Sequence, residues 1–260
     1  MSTAPRRFES KVVLVTGASS GIGRATALAL GREGAAVIAA GRRQDRLEAV
    51  VREITALGSR AVAVSGDVRE ERVCQEWVRE AVRVYGGLDG LVNAAGVIGN
   101  AKGLLETTTE QWDLIMGSNV RSLLLLTKEA APELAKRKGA VVNLSSVAGT
   151  RPYTGLMAYC VSKAAVDQFT RCAALDLAPS LVRVNAVNPG VVVTELHTVT
   201  NAIPDYAGFL ERSKGTHPIG RVGQADEVAK LILFLLSDEA GWITGATYAI
   251  DGGRALASAR

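Results

Sequence analysis

A tyrosine and a lysine stand four residues apart in the stretch YCVSK, Tyr159 to Lys163. If this stretch is helical, positions i and i+4 lie on one face and the two functional groups point into the same space. A neighbouring ammonium favours the phenolate, so the pair predicts a tyrosine whose pKa lies below its usual value of about 10. Such a phenol can exchange a proton with a substrate oxygen. The same spacing is common on any helix, so the elements around it decide its meaning.

A glycine-rich turn follows the first predicted strand. The strand KVVLVTG (11–17) runs into TGASSGIG, which contains Gly17, Gly21 and Gly23. A helix that begins at this turn presents free backbone N–H groups and the positive end of its dipole, which together can hold a pyrophosphate. The strand–turn–helix context therefore predicts a bound dinucleotide, with a ligand-free tight turn as the alternative.

Strand and helix patterns alternate from end to end of the chain. This alternation predicts an α/β, doubly wound, Rossmann-like single domain over residues 1–260, with a mainly parallel sheet and helices on both faces. Asp45 with Glu48, and Thr107 with Glu110, have the spacing of helix-capping boxes. Residues 191–220 show no clear period and are predicted to form a mobile substrate flap with one or two short helices. The predicted strands cover 11–17, 35–41, 61–68, 88–96, 139–146, 182–190 and the final run GATYAIDGG.

The sequence resembles the short-chain dehydrogenase/reductase family over nearly its whole length. The motifs that carry the resemblance are the T-G-x-x-x-G-x-G turn, Asp67, N-A-A-G at 93–96, Asn119, Ser146, Tyr159 with Lys163, and N-P-G at 188–190 followed by Thr194. The resemblance implies an oxidoreductase that interconverts a ketone and a secondary alcohol. One departure is Ala94, which replaces the second asparagine of the family's N-N-A-G. Any hydrogen bond of that amide must therefore come from another group.

The resemblance implies four catalytic residues, Asn119, Ser146, Tyr159 and Lys163. Hydride transfer to a ketone leaves an alkoxide, to which Tyr159 is expected to give a proton while Ser146 holds the carbonyl oxygen. Lys163 is expected to lower the pKa of Tyr159 and to bind the nicotinamide ribose. Asn119 is expected to hold a water that relays protons from the lysine.

The end of the second predicted strand bears on the choice of cofactor. An acidic residue there would bind the adenosine ribose and repel a 2′-phosphate, but Gly41 is followed by Arg42 and Arg43. A guanidinium can hold a phosphate with two parallel hydrogen bonds, so the sequence predicts NADP(H). The alternative is that both arginines are solvated surface charges. Asp45 lies too far into the next helix to bind the ribose and is better explained as a cap.

The family resemblance also implies where the rest of the cofactor lies. Ser19 is expected to touch the adenosine ribose, Asp67 and Val68 the adenine, and residues 93–96 the adjoining ribose. Pro189, Gly190 and Thr194 are expected to hold the nicotinamide amide. The complete predicted set is Gly17, Ser19, Ser20, Gly21, Ile22, Gly23, Arg42, Arg43, Asp67, Val68, Asn93, Ala94, Ala95, Gly96, Tyr159, Lys163, Pro189, Gly190, Val192 and Thr194.

Composition argues against other functional classes. Hydrophobic residues make up 48% and charged residues 22%, and the net charge of +4 is scattered without interleaved aromatics, which argues against nucleic-acid binding. Three cysteines without a C-x-x-C spacing indicate neither a disulfide framework nor a zinc site, and no metal site is predicted. The longest apolar runs are too short to span a bilayer, and no secretory signal is present, so a cytoplasmic protein without membrane contact is expected.

The substrate is the least determined feature. A pocket is expected near residues 97–98, 148–149, 153–154, 156 and the flap, moderately apolar and without an anion-binding group that the sequence can place. By resemblance this suggests a 3-oxoacyl thioester or a small or aromatic ketone. The alternatives are an NAD-preferring alcohol, steroid or polyol dehydrogenase and a non-catalytic dinucleotide sensor. The family also implies a homotetramer, assembled through the helices that contain 123–126 and 161–177 and through the C-terminal region. His197 and His217 are given no role.

Overall fold

Seven parallel strands form one sheet in the order β3-β2-β1-β4-β5-β6-β7, with helices on both faces. The protein is represented by a computed structural model that describes residues 6–99, 103–197, 203 and 205–257. The strands are β1 (Val12–Thr16), β2 (Ala36–Gly41), β3 (Ala61–Ser65), β4 (Gly90–Asn93), β5 (Ala140–Leu144), β6 (Arg183–Pro189) and β7 (Thr247–Ile250). The helices are α1 (Gly21–Arg32), α2 (Gln44–Ala56), α3 (Glu71–Tyr85), α4 (Thr109–Met116), α5 (Ser122–Arg137), α6 (Met157–Leu177), α7 (Tyr206–Lys214) and α8 (Ala225–Leu236).

The alternation of side chains along β1 explains the two-faced core. Val13 and Val15 belong to the hydrophobic cluster on one face of the sheet, and Val12 and Leu14 belong to the cluster on the other. Successive strand residues point to opposite faces, so a strand that is apolar throughout must be covered on both sides. Helices α1, α2 and α8 contribute to the first cluster, and α3, α5 and α6 to the second.

The strand order reverses between β1 and β4. The chain winds outward through β2 and β3 on one side of β1, then returns to place β4 on the other side, with Val15 paired with Val92. The connections from these two strands therefore leave in opposite directions at their carboxyl ends. This opens the crevice in which doubly wound folds bind ligands.

Most predicted elements are confirmed, with the predicted strands one to a few residues too long. Both capping predictions are wrong. Helix α2 begins at Gln44 with Arg43 as its N-cap and no side-chain cap bond, so Asp45 lies in the first turn and does not cap. The other capping box is one residue later, at Thr108 and Gln111, because Thr107 donates its hydroxyl to the carbonyl of Gly103, 2.7 Å away.

The chain that follows β6 contains the segment predicted to be a flap. An isolated bridge pairs Val192 with Gly223, a 3₁₀ turn covers Glu195–His197, and α7 follows. The prediction of one or two short helices is therefore confirmed for the described part of this segment. None of the described helices is both long and apolar enough to cross a bilayer. The described residues contain no cluster of three or more His, Cys, Asp or Glu side chains that could hold a metal ion.

Candidate active site

The glycine-rich turn after β1 depends on glycine for steric reasons. Gly17 has φ +66°, and a Cβ there would lie 2.9 Å from the carbonyl oxygen of Ala94. A Cβ at Gly23 would lie 2.4 Å from the carbonyl oxygen of Gly17, too close for any other residue. The first turn of α1 carries no acidic side chain, and Ser20 forms no side-chain cap bond. Its N–H groups are therefore free of side-chain caps and can hold an anion.

Two adjoining cavities hold almost the whole predicted set. A cavity of about 240 Å³ is lined by the turn, the end of β2 and the start of the β3–α3 connection. A second cavity, of about 300 Å³, is lined by Ser146, Tyr159 and Lys163 and by the start of the flap. Ile22, Ala94, Gly96, Leu144 and Thr194 are among the residues that line both, so the two cavities adjoin each other. All the predicted cofactor residues line one or the other except Asn93.

The side chain of Asn93 is turned away from the cleft, so only its backbone could make the predicted contact with a ribose. Its Nδ2 donates to Oδ1 of Asn143 (2.9 Å) and to Oγ1 of Thr127 (3.2 Å), both buried. Asn93 and Asn143 pair across β4 and β5, and this neighbour satisfies the amide inside the protein. The missing amide at Ala94 has a counterpart in Thr16, whose Oγ1 accepts hydrogen bonds from the N–H groups of Ala94 and Ala95, both at 2.9 Å.

The two adjacent arginines behave differently. Arg42 is exposed at the cleft edge, whereas Arg43 donates to Oγ of Ser19 (3.0 Å) and Oγ of Ser20 (2.7 Å). Arg43 also forms an ion pair with Glu195 of the flap (3.1 Å), and Arg46 pairs with the same carboxylate at 2.6 Å. These bonds hold the pKa of Glu195 below its usual value. The guanidinium of Arg43 therefore lies against the glycine-rich turn and already attracts one anionic group.

Asp67 lines the same cleft but is engaged by its neighbour. Its carboxylate accepts hydrogen bonds from Nε and Nη2 of Arg69, the shortest at 2.6 Å, and from the N–H of Arg69 at 3.0 Å. The bonds to Arg69 lower the pKa of Asp67, so it remains ionised. This pair forms the wall opposite the turn, together with Val68 and Trp77.

Ser146, Tyr159 and Lys163 face one another across the second cavity. Tyr159 and Lys163 lie one turn apart on α6 and are both buried. Ser146 lies just after β5, where its Oγ accepts a hydrogen bond from the N–H of Ala148 (3.1 Å). A hydrogen bond from Ser146 also favours the ionised form of Tyr159. The structure thus brings the three predicted side chains together.

The predicted lowering of the Tyr159 pKa is wrong in this structure. Burial raises that pKa to about 12, and the Ser146 hydrogen bond only partly opposes it. The ammonium of Lys163 lies 5.6 Å from the centroid of the phenol ring and donates to the carbonyl oxygen of Leu144 at 2.7 Å. Burial also lowers the pKa of Lys163 to about 8. Desolvation is the largest cause of both shifts because both side chains are almost completely buried.

Asn119 lies in a π-helical turn, Gly117–Arg121, between α4 and α5. Its amide exchanges two hydrogen bonds with the backbone of Val97, accepting from the N–H and donating to the carbonyl, both at 2.8 Å. It also donates to Oγ of Ser162 (3.0 Å). A Cβ built on Gly96 would lie 3.0 Å from Oδ1 of Asn119 and 3.7 Å from Nζ of Lys163, so the amide and the ammonium approach the same point. Single π turns often occur at functional sites.

Two further polar residues support the site and were missed in the sequence. Asp167, one turn beyond Lys163 on α6, is buried and accepts hydrogen bonds from Nδ2 of Asn188, at 3.0 Å to each oxygen. The same Nδ2 donates to the carbonyl oxygen of Ser146 (3.1 Å). Burial raises the pKa of Asp167, opposed by the hydrogen bonds from Ser145 and Asn188. Two signals for these residues were available in the sequence: Asp167 is an acidic residue four positions after Lys163, and Asn188 is the asparagine of the N-P-G motif.

His217 and Tyr206 fasten the flap, and neither was assigned a role from sequence. His217 is buried; its Nδ1 lies 2.7 Å from the carbonyl oxygen of Ser213, and its Nε2 accepts from the N–H of Val191 at 3.1 Å. This pairing requires the neutral tautomer with the proton on Nδ1, and burial lowers the pKa of the ring. The hydroxyl of Tyr206 donates to the carbonyl oxygen of Thr194 at 2.9 Å. Both side chains thus fix the strand end that lines the second cavity.

The described residues fit a nicotinamide dinucleotide. The turn at Gly17 and Gly23 leaves room that any Cβ would fill, and the first turn of α1 has no side-chain cap. The cavity at this turn shares lining residues with the one that holds Tyr159. A bound dinucleotide of this kind would have its pyrophosphate at the turn, its adenosine beside Arg43 and Val68, and its nicotinamide beside Lys163.

Comparison with known proteins gives concordant matches. Residues 17–255 match the family model described as "Enoyl-(Acyl carrier protein) reductase". The chain is 39% identical over 248 residues to a 3-oxoacyl-[acyl-carrier-protein] reductase of Thermotoga maritima, covering 95% of this chain and 98% of the relative. It is 36% identical over 248 residues to a cyclohexanol dehydrogenase of Acinetobacter sp., covering 95% of each. A crystal structure of a short-chain dehydrogenase/reductase of unknown function from Caenorhabditis elegans, with cofactor, superposes with a TM-score of 0.92 at 34% identity, covering 97% of both chains.

Proposed function

Because the chain belongs to the short-chain dehydrogenase/reductase family, we propose that this oxidoreductase interconverts a small ketone and a secondary alcohol with NADP(H) as its cofactor. The observation that carries the proposal is the meeting of Ser146, Tyr159 and Lys163 in a cavity that adjoins the cleft of the glycine-rich turn. A non-catalytic sensor would need the cleft but not this trio. The trio therefore favours an enzyme over a sensor.

Tyr159 is the proton donor in the proposed reduction. When bound, the nicotinamide supplies the hydride that converts the carbonyl carbon to a carbinol. Burial raises the pKa of Tyr159 to about 12, so at neutral pH the phenol holds the proton that the substrate oxygen needs. Ser146 donates a hydrogen bond to the same oxygen and fixes its distance from the phenol. In the direction of alcohol oxidation the phenolate takes the proton back.

Lys163 stabilises the phenolate that proton donation leaves behind. Its ammonium lies 5.6 Å from the ring centroid and is buried, so the attraction between the charges is only weakly screened. Because burial lowers its pKa to about 8, the lysine can also release a proton near neutral pH. Asn119, whose Oδ1 lies near Gly96 as the ammonium does, would then orient a water that carries this proton onward.

The experiment that tests the chemistry is the Tyr159→Phe variant. It keeps the ring in its buried place and removes the transferable proton, so we expect turnover to fall by at least about 100-fold. NADPH binding, measured by calorimetry, should change little. Tyr85→Phe on the distant helix α3 is the matched control and should retain full activity. A Tyr159→Phe variant with most of its activity would disprove the donor role, and NADPH binding without turnover of any carbonyl by the wild type would favour the sensor.

The NADP(H) preference is supported by the place of Arg43. Its guanidinium donates hydrogen bonds to Ser19 and Ser20 at the turn. The last residue of β2 is Gly41, so no acidic side chain stands at the strand end to repel a 2′-phosphate. A 2′-phosphate at this place would compete with Glu195 for the guanidinium, and its greater charge favours the phosphate. Arg42 at the cleft edge would add a weaker, solvent-screened attraction.

Variants of the two arginines separate NADP(H) from NAD(H) preference. Arg43→Ala should weaken NADPH binding by about 10- to 100-fold, the value of a charge-assisted hydrogen bond, and NADH binding far less. Arg42→Ala should act in the same direction with a smaller effect. Arg52→Ala, an exposed arginine on α2, is the control for lost charge. Equal losses for both cofactors in Arg43→Ala would contradict the assignment.

We also propose that the protein is a homotetramer. Large apolar side chains stand exposed on the outer faces of α5 and α6, Leu124 at 53% and Leu175 at 77%, and Trp242 before β7 is 100% exposed. Exposed apolar groups of this size on neighbouring helices are typical of subunit interfaces. Light scattering should give four subunits for the wild type and fewer for Leu175→Glu. A wild-type monomer would overturn the proposal.

A further inference from the structure

The C-terminal segment brings a cationic side chain into the substrate cavity. Arg254 lies just after β7 and lines the same cavity as Ser146 and Tyr159. Arg254 and Lys163 are the only charged residues among the described lining residues, and none of these is acidic. The sequence alone placed no anion-binding group here, because Arg254 is 95 residues from Tyr159 along the chain and only the fold brings the two together.

The contacts of the Arg254 guanidinium are polar but uncharged. Its Nε donates to the hydroxyl of Tyr153 (3.3 Å) and its Nη1 to Oγ1 of Thr216 (2.5 Å). The guanidinium also lies over the Tyr153 ring, 5.2 Å from the centroid. Among the described residues, no carboxylate forms an ion pair with it. The nearby carboxylate of Asp251 instead accepts backbone N–H groups.

The segment that carries Arg254 is held in place by two charged side chains. The carboxylate of Asp251 accepts from the N–H groups of Gly253 (2.9 Å) and Ala255 (2.6 Å). From the other side, Nη1 of Arg151 donates to the carbonyl oxygens of Arg254 and Ala255 at 3.0 Å each, and to that of Ala257. Chain ends are usually poorly ordered unless tied down, so this double anchoring fixes the direction from which Arg254 enters the cavity.

We propose that Arg254 binds a carboxylate on the substrate, so that the enzyme acts on small oxo acids and the corresponding hydroxy acids. The inference rests on the proposed function, since it concerns the substrate of that same site. A guanidinium binds a carboxylate with two parallel hydrogen bonds, and a cavity without acidic side chains adds no repulsion. The Tyr153 hydroxyl accepts from Arg254, so its own proton can be donated to the same carboxylate. The carbonyl to be reduced then lies at the Tyr159 end of the cavity.

The test compares an oxo acid with its neutral ester in the full-length enzyme with NADPH. The probes are 4-oxocyclohexane-1-carboxylate and its methyl ester, which share the ring and the ketone. We expect the wild type to have a kcat/KM at least about tenfold higher for the acid. In Arg254→Met the acid should lose about 10- to 100-fold, mainly through a higher KM, and the ester far less. Arg254→Lys keeps the charge without the fork and should lie in between. Arg79→Met, an exposed arginine on α3, is the control for net charge.

Binding of the oxo acid by the protein–NADPH complex, measured by calorimetry on the same variants, separates the two levels of inference. Binding that depends on Arg254 without turnover supports the carboxylate site and contradicts the oxidoreductase. Turnover of the ester with no preference for the acid overturns the site and leaves the proposed function intact. An Arg254→Met variant that loses acid and ester equally would show that the arginine only supports the fold. If the wild type neither binds the acid nor turns it over, the proposal is also overturned.

Discussion

Replacing Lys163 by methionine should stabilise the protein while it abolishes catalysis. Lys163 is 5% exposed, and burial lowers its pKa from 10.5 to about 8. Below pH 8 the folded protein therefore carries a charge in a place that disfavours it. Methionine has a similar length and is easily accommodated in irregular apolar space. The substitution removes the charge without leaving a large cavity.

The size of the effect follows from the pKa and from one hydrogen bond. Each pKa unit corresponds to about 1.4 kcal/mol, so the charge of Lys163 costs about 3 kcal/mol at neutral pH. Removing the side chain also removes its charge-assisted hydrogen bond to the carbonyl oxygen of Leu144, worth about 2 kcal/mol. Lys163→Met should therefore raise the free energy of unfolding by about 1 kcal/mol at pH 7, or the melting temperature by about 2–4 °C for a chain of this size.

The pH dependence isolates the charge from other effects of the substitution. Between pH 8 and 10 the unfolded wild type keeps the Lys163 proton and the folded protein loses it, so wild-type stability should rise by up to about 1.4 kcal/mol per pH unit from this group. Lys163→Met lacks this contribution, so its advantage over the wild type should shrink across the same range. Urea unfolding of both proteins at pH 7, 8, 9 and 10 measures the difference. The range stops at pH 10 because Tyr159, whose pKa is raised, begins to act in the opposite direction above that pH.

Lys230→Met on the exposed face of α8 is the matched control and should leave the pH dependence as in the wild type. Two results would refute the reasoning. One is a Lys163→Met protein that is less stable than the wild type at pH 7. The other is a stability difference that does not change between pH 8 and 10, which would show that the lysine is not held charged at a cost.

Two more predictions concern the flap and the turn. His217 is buried with a lowered pKa and a neutral tautomer, so wild-type stability should fall as the pH drops below its ordinary value of 6.5, by up to about 1.4 kcal/mol per pH unit. His217→Gln should abolish that slope between pH 7 and 5.5 in urea unfolding, and an unchanged slope would contradict the tautomer. Gly23→Ala places a Cβ 2.4 Å from the Gly17 carbonyl oxygen and should lower NADPH affinity at least about tenfold by calorimetry. Gly215→Ala, whose Cβ has no neighbour closer than 3.7 Å, is its control, and an unaffected Gly23→Ala would refute the steric argument.

The sequence was most informative where chemistry depends on neighbours along the chain. Tyr159 and Lys163 share a helix face because helical geometry places i and i+4 together, and Gly17 and Gly23 mark a turn that no other residue could form. The parallel sheet follows from strands that are apolar on both faces. Each of these features is a local pattern whose structural meaning does not depend on the rest of the chain.

Other features depend on residues that are distant in sequence and could not be predicted. The Asn93 amide turns inward because Asn143, fifty residues away, offers an oxygen across the sheet. Arg254 reaches the cavity because Arg151 and Asp251 fasten the C-terminal segment. The arginine that contacts the turn is Arg43 rather than Arg42, which depends on where α2 begins. In each case at least one deciding partner is distant along the chain: Asn143 for Asn93, Arg151 for Arg254, and Ser19 and Ser20 for Arg43.

Burial shifts the pKa values of Tyr159 and Lys163 in opposite directions, and both shifts favour the uncharged forms. A raised pKa keeps the proton on Tyr159, and a lowered pKa marks Lys163 as a cation that the folded protein disfavours. A site of this kind is poised to attract negative charge, because a phenolate beside the ammonium relieves the cost of both burials at once. The ammonium therefore contributes most when the phenolate forms, which is after proton donation, and least in the resting protein. An interaction that grows in this way favours the transition state over the bound substrate, and this difference is what accelerates a reaction.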